Sequence, residues 1–314
     1  MMDLIMLKQQ KNYLKTDYHN PVMLKECLDG LNINPKGHYV DVTFGGGGHS
    51  RAILDLLDED GRLYAFDRDN DAKRNIIEDS RFVFIDDNYS ALNDNLRLYR
   101  EFEIDGILAD LGISSFQIDT PERGFSTRFD APLDLRMNKK QVLSAKEIIN
   151  QFEKEDLKRI FKSYGELTNA SLIAKKIIDQ RALTPVDTTF QLKDLLMPLA
   201  PKNQENKFFA MVFQALRIEV NDELGSLKKM LEQSADLLKP NGRLVVMSYH
   251  SLEDRLVKNF MKYGNFEAQP MKDFYGNLLS PLEMITRKPV EASSEEQNEN
   301  PRSRSAKLRI AVKK

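Results

Sequence analysis

Four consecutive glycines, Gly45 to Gly48, stand before His49 and Ser50 and are the first place in this 314-residue chain that could hold a ligand. Glycine lets a backbone turn sharply and approach a bound group closely, and a following helix N-terminus favours polar groups there. Asp67 comes nineteen residues after Gly48, at the end of a strand-like run, where a carboxylate accepts hydrogen bonds from a ribose. Together these features specify a nucleoside-containing ligand. Two details favour S-adenosylmethionine over a nicotinamide dinucleotide. The third glycine of G-x-G-x-x-G is replaced by Ser50 or Arg51. Asp41, four residues before the glycines, suits a cationic amino acid better than a pyrophosphate.

Other groups are placed to act on such a ligand or on an acceptor. Asp87, Asn88 and Tyr89 follow a third strand, where Tyr89 could stack on adenine. Asp110 closes a fourth strand and faces the crevice where methyl donor and acceptor should meet. His250 closes a fifth and is a second candidate for assisting an amine, a core histidine being the plain alternative. Glu253 and Asp254 suit the positive end of the next helix. Arg123, Phe125, Arg128, Phe129 and Arg136 interleave cations with rings, a mixture that grips phosphates while stacking unpaired bases. Internal pairing with Glu122, Asp130 and Asp134 would explain those arginines equally well.

The elements that must position these groups alternate. Strand-like segments at 38–44, 62–66, 82–86 and 104–109 are separated by helix-like ones at 50–57, 71–78 and 91–99. This order predicts an α/β, doubly wound parallel sheet with right-handed crossovers. Residues 111–138 break the pattern, and a long irregular connection is usually functional. From 144 to about 200 only helical signals occur, which predicts an inserted all-helical subdomain. A long helix at 222–238, a turn at 239–242 and strands at 243–248, 284–288 and 307–312 complete the sheet, with an exposed loop at 293–303. The expected domains are 17–137 and 208–314 for the sheet and 138–207 for the insertion.

Composition narrows the class. The charged fraction is 30% and the net charge −2, which excludes a chain coated in positive charge. Charge is local instead: residues 291–300 carry four acids, and 301–314 carry six bases, including Arg302, Arg304, Lys307 and Arg309. Such a strip can hold phosphates. The single cysteine, Cys27, cannot form an internal bridge, so a reducing cytoplasmic setting is expected. No zinc or other metal site and no membrane span is expected. A ligand-holding scaffold without chemistry and a nicotinamide-dependent oxidoreductase are the rival classes.

The chain resembles the family of 16S ribosomal RNA cytosine-N4 methyltransferases. The matching strings are 19–24 (HNPVML), 43–50 (TFGGGGHS), 66–69 (FDRD), 110–119 (DLGISSFQID), 122–126 (ERGFS), 133–137 (LDLRM), 164–166 (YGE), 213–221 (FQALRIEVN), 249–258 (YHSLEDRLVK) and 304–309 (RSAKLR). They run in family order over nearly the whole chain. The resemblance implies a Rossmann-like methyltransferase sheet with a helical insertion. It also implies S-adenosyl-L-methionine as cofactor, and N4 methylation of a cytidine in 16S rRNA of the small ribosomal subunit. Its donor-binding positions fall on Gly47, Gly48, His49, Asp67, Tyr89, Asp110 and Gln117. Asp110 and His250 are the catalytic candidates, and Arg123, Phe125, Arg136 and Arg304 the candidates for RNA contact. Monomer and homodimer both remain open. Many members carry Phe where Tyr89 stands, and the stretch 266–281 lacks a Gly-Leu-Pro-rich segment common in the family.

Overall fold

The computed structural model describes residues 21–276 and 278–314. These form two compact units: one of residues 21–67, Ala72–Gly112 and Lys229–Lys314, the other of Arg68–Asp71 and Ile113–Lys228. The expected boundaries at 138 and 207 therefore move outward, to 113 and 228. The matching string 19–24 begins outside the described residues.

The first unit is a sheet. Its elements are α1 (Leu24–Leu31), β1 (His38–Asp41), α2 (Gly48–Leu54), β2 (Arg62–Phe66), β3 (Phe82–Ile85), α3 (Leu92–Leu98) and β4 (Ile104–Asp110). After six helices of the second unit come α10 (Glu223–Leu237), β5 (Leu238–Ser248), α11 (Ser251–Tyr263), β6 (Leu282–Met284), α12 (Ser294–Glu299) and β7 (Lys307–Lys313). The strand order is β3-β2-β1-β4-β5-β7-β6. β1 to β5 pair in parallel, and β7 runs antiparallel to both β5 and β6. Val40, Leu63, Ala65, Ile107 and Leu108 are fully buried, as strands covered on both faces require. The chain leaves β1 toward β2 on one side and reaches β4 and β5 on the other. The switch point between β1 and β4 is where such sheets open a ligand crevice.

Three expected elements differ. The segment 71–78 is a 3-10 turn, Asn70–Asn75, started by Asp69 accepting from Asp71 N at 3.1 Å. β5 begins at Leu238, not 243: Ile104 pairs with Leu238 and Gly106 with Arg243, so the turn bulges from the ladder. Pro240 has no N–H for a ladder bond, which favours that bulge. The expected loop at 293–303 contains α12, capped by Ser293 Oγ accepting from Glu296 N at 3.1 Å. Serine followed three residues later by glutamate is a helix-start signature that the polar composition concealed.

The second unit is helical: α4 (Ser115–Asp119), α5 (Ala145–Gln151), α6 (Lys154–Ser163), α7 (Ala170–Arg181), α8 (Thr189–Leu196) and α9 (Glu205–Asn221). Ser114, Ser144 and Thr188 start α4, α5 and α8 with capping boxes closed by Gln117, Glu147 and Gln191. Its own core joins Ile148, Ile160, Phe161, Ile173, Leu192, Val212 and Leu216. The irregular stretch before α5 contributes Phe125, Leu133, Leu135 and Met137 to that core, which is why the unit starts so early. Asn221 fastens the stretch to α9, accepting from Met137 N and donating to Leu135 O, both at 2.8 Å. Among the described residues, no helix is long and apolar enough to cross a membrane.

Candidate active site

β1 ends at Asp41 and the chain turns through the glycine loop into α2. Gly45 and Gly47 take φ of 50° and 74°, a region in which side chains are strained. A Cβ on Gly47 would also lie 2.6 Å from Arg51 Nη1 and 2.9 Å from Phe44. Asp67, just past β2, accepts from Gly45 N at 2.8 Å and so fixes the loop against the neighbouring strand end. Asn75 donates to Gly45 O at 2.9 Å. Arg51 donates to Gly46 O and Asn75 O.

Asp41 is 1% exposed and fully engaged within the loop. It accepts from Thr43 N at 3.0 Å and from Ser50 Oγ at 2.7 Å. The idea that it meets a ligand's ammonium directly is therefore corrected: it shapes the turn and supplies negative charge from beneath.

Asp110 carries the chemistry of this edge. Its backbone N donates to Thr43 Oγ1 at 2.7 Å, tying β4 to the loop after β1. Its Oδ1 accepts from the Tyr249 hydroxyl at 2.7 Å. Its Oδ2 lies 3.8 Å from His49 Nδ1. His49 Nε2 is 3.1 Å from Val22 O; a carbonyl only accepts, so Nε2 is the donor there and Nδ1 is the ring nitrogen that faces Asp110. The carboxyl's pKa is raised to about 6, first by removal from water and then by repulsion from Asp41 and Glu253. The field of His49 and the Tyr249 hydrogen bond hold it from rising further. Burial, with Asp110 second, pushes the Tyr249 hydroxyl well up and keeps it a donor.

Tyr249, whose hydroxyl donates to Asp110, is the candidate that residue types missed. His250 beside it drew the attention, and the structure gives His250 another task. It is the N-cap of α11, with Nδ1 accepting from Glu253 N at 3.4 Å and Nε2 3.2 Å from Glu253 Oε1. Gly112, at φ 97°, lets the Tyr249 ring lie close to the backbone after β4. That pairing of DLG with YH was the available signal.

Tyr89 is half-buried in a 3-10 turn after β3, begun by Asn88 accepting from Ser90 N at 2.9 Å. Gln117 belongs to the helical unit, where its amide accepts from Ser114 N at 3.1 Å and donates to Asp69 at 2.7 Å. The sheet unit thus brings together Gly45 to Gly48, His49, Asp67 and Asp110.

The RNA-contact candidates divide. Arg123 is 2% exposed, paired with Asp69 at 2.9 Å and Asp71 at 2.8 Å, and donates to Arg136 O and Met137 O. Phe125 is a core residue with Arg123 over its ring. Both are withdrawn as surface contacts, because a saturated guanidinium and a buried ring have nothing left to offer RNA. Arg136 makes a two-pronged pair with Asp134 at 2.7 and 2.9 Å and donates to Gln141 O. Arg309 is likewise buried on Asp254, at 2.6 and 3.0 Å. Arg304 is exposed on the 3-10 turn Pro301–Ser305, with only Nε donating to Gln297 O at 3.2 Å.

A crevice between β1 and β4, a glycine turn, an acid at the next strand end and an under-compensated carboxyl define a nucleoside-cofactor transferase. Charge decides which nucleoside fits. Asp41 and Asp110 place two carboxylates at the strand ends beside the loop, a setting that suits a positively charged sulfonium better than a pyrophosphate. The chain belongs to the MraW methylase family, whose model matches residues 16–314. It is an S-adenosylmethionine-dependent methyltransferase. It is 53% identical over 297 residues to the ribosomal RNA small subunit methyltransferase H of Christiangramia forsetii, covering 95% of this chain and 98% of that one. The proteins of the same name from Flavobacterium johnsoniae and Bacteroides fragilis are 52% and 51% identical, over 95% and 96% of this chain and 98% and 99% of theirs.

Proposed function

We propose that this chain methylates the N4 amino group of a cytidine in 16S ribosomal RNA, presented on the small ribosomal subunit in the cytoplasm. When bound, the donor supplies an electrophilic methyl on a sulfonium. The Gly45–His49 loop would hold it, with Asp67 on its ribose and Tyr89 beside its base.

The N4 lone pair is delocalised into the pyrimidine ring, so the amine needs help. Asp110 is the observation that carries the reading. A carboxylate poised near pH 6 accepts a hydrogen bond from the amine, sharpens the lone pair, and takes the proton that N4 loses as it gains the methyl. Tyr249 holds Oδ1, so Oδ2 is the oxygen available to act. Arg304 adds a phosphate contact outside the crevice.

Single-turnover transfer of labelled methyl to small subunits, followed by nucleoside analysis, tests this. N4-methylcytidine should form with the wild type. In Asp110→Asn the rate should fall about 10²-fold or more while donor affinity changes little. A rate restored by saturating donor would make Asp110 a donor ligand only. No labelled RNA would overturn this RNA as the methyl acceptor.

A further inference from the structure

Removing Arg123 and Phe125 from the surface leaves the other half of their motif facing solvent. Arg128 and Phe129 are exposed, the ring by 44%, with the guanidinium 5.9 Å above it. The start of α8 contributes a second such pair, Phe190, 37% exposed, with Lys193 Nζ 4.9 Å from its centre. The two pairs are stitched together. Thr189, fully buried, donates to Phe129 O at 2.8 Å, Asp130 accepts from Phe190 N at 3.1 Å, and Lys193 donates to Thr127 O at 2.7 Å.

We propose that Phe129 and Phe190 stack unpaired bases of the RNA substrate while Arg128 and Lys193 hold the adjoining phosphates. Among the described residues, neither cation forms an ion pair with an acid. Asp130, the acid between them, is turned onto the first turn of α8. Rings whose backbone is held by hydrogen bonds stack at little entropic cost, and a cation over each ring suits the negative backbone beside a stacked base. A depression of about 420 Å³ opens alongside, at Asp130, Pro132 and Thr188.

The inference rests on RNA being the substrate, and binding and methyl transfer are measured separately. The probes are a fluorescent single-stranded fragment of 16S RNA and its duplex, titrated into the full chain. Phe129→Leu with Phe190→Leu keeps apolar bulk but removes the stacking faces. Single-strand affinity should fall at least about tenfold, with duplex affinity and unfolding temperature unchanged. Arg128→Gln with Lys193→Gln should flatten the salt dependence by about 1.4 in log–log slope, the release expected from two phosphates. Wild-type affinity and slope in both double variants would overturn the surface while leaving the function intact. So would variants that bind RNA normally but fail on assembled subunits, since that outcome indicates a protein contact. A wild-type chain that neither binds RNA nor transfers methyl would overturn both.

Discussion

Two clusters of buried charge sit in the two units and are built on opposite principles. Around Arg123, one guanidinium meets Asp69, Asp71 and two carbonyl oxygens, so every charge has a partner. Around Asp110, removal from water first, and then repulsion from carboxylates of β1 and α11, raise the carboxyl to about 6 against the opposing effects of His49 and the Tyr249 hydroxyl. A saturated cluster fixes backbone; an unsaturated one is waiting for a ligand or a proton.

The largest test of that contrast is thermodynamic. Arg123→Ala removes the buried guanidinium that pairs with Asp69 and Asp71 and should destabilise the chain by about 3–5 kcal/mol, read from denaturant unfolding. An effect below about 1 kcal/mol would mean the cluster is not the fastening described here.

Asp67→Ala removes the acceptor for Gly45 N and the candidate ribose contact, and donor affinity should weaken by about 1–3 kcal/mol. Calorimetry on a folded variant settles this, and unchanged affinity would end the assignment.

A subtler change separates holding a carboxyl from merely packing beside it. The Tyr249 hydrogen bond lowers the Asp110 pKa, so Tyr249→Phe should raise it. Because the ionised form accepts from the amine, the acid limb of the pH–rate profile should move from about 6 to higher pH, with little change at the alkaline plateau. The same elevation bears on stability. Relative to an unfolded carboxyl near about 4, the native state binds the extra proton, so this group favours folding at low pH. Its contribution declines as pH rises from about 4 through about 6. A pH–rate limb that stays in place would reduce Tyr249 to packing. Smallest of all, Arg304→Gln should lower the salt slope of RNA binding by less than about one unit, as one exposed phosphate contact would.

The same contrast explains what could be read from residues. The placement of Asp67 and Asp110 beside the glycine turn was legible because a strand end fixes where a side chain must face. Arg123 and Phe125 were not, because composition in an irregular stretch carries no sign of inside or outside. Tyr249 was hidden by its neighbour, since histidine attracts catalytic readings and a tyrosine on the same strand end does not. α9 escaped notice as well: Glu205 to Asn221 is apolar on too many sides to show one stripe, being buried at nine positions.

The pairing of β4 with β5 joins residues on either side of the helical unit. Nearly all of that unit, residues 113–228, is continuous in sequence and has a core of its own. On a ribosome it emerges complete before β5, β6 and β7 have been made. The sheet, by contrast, must wait for its last strands, with Gly30 of α1 held against Ile310 near the other end of the chain. Ordering the intervening helices first shortens the flexible loop that β4 and β5 must close. The insertion that carries the exposed rings Phe129 and Phe190 is thus also the folding step on which completion of the donor crevice depends.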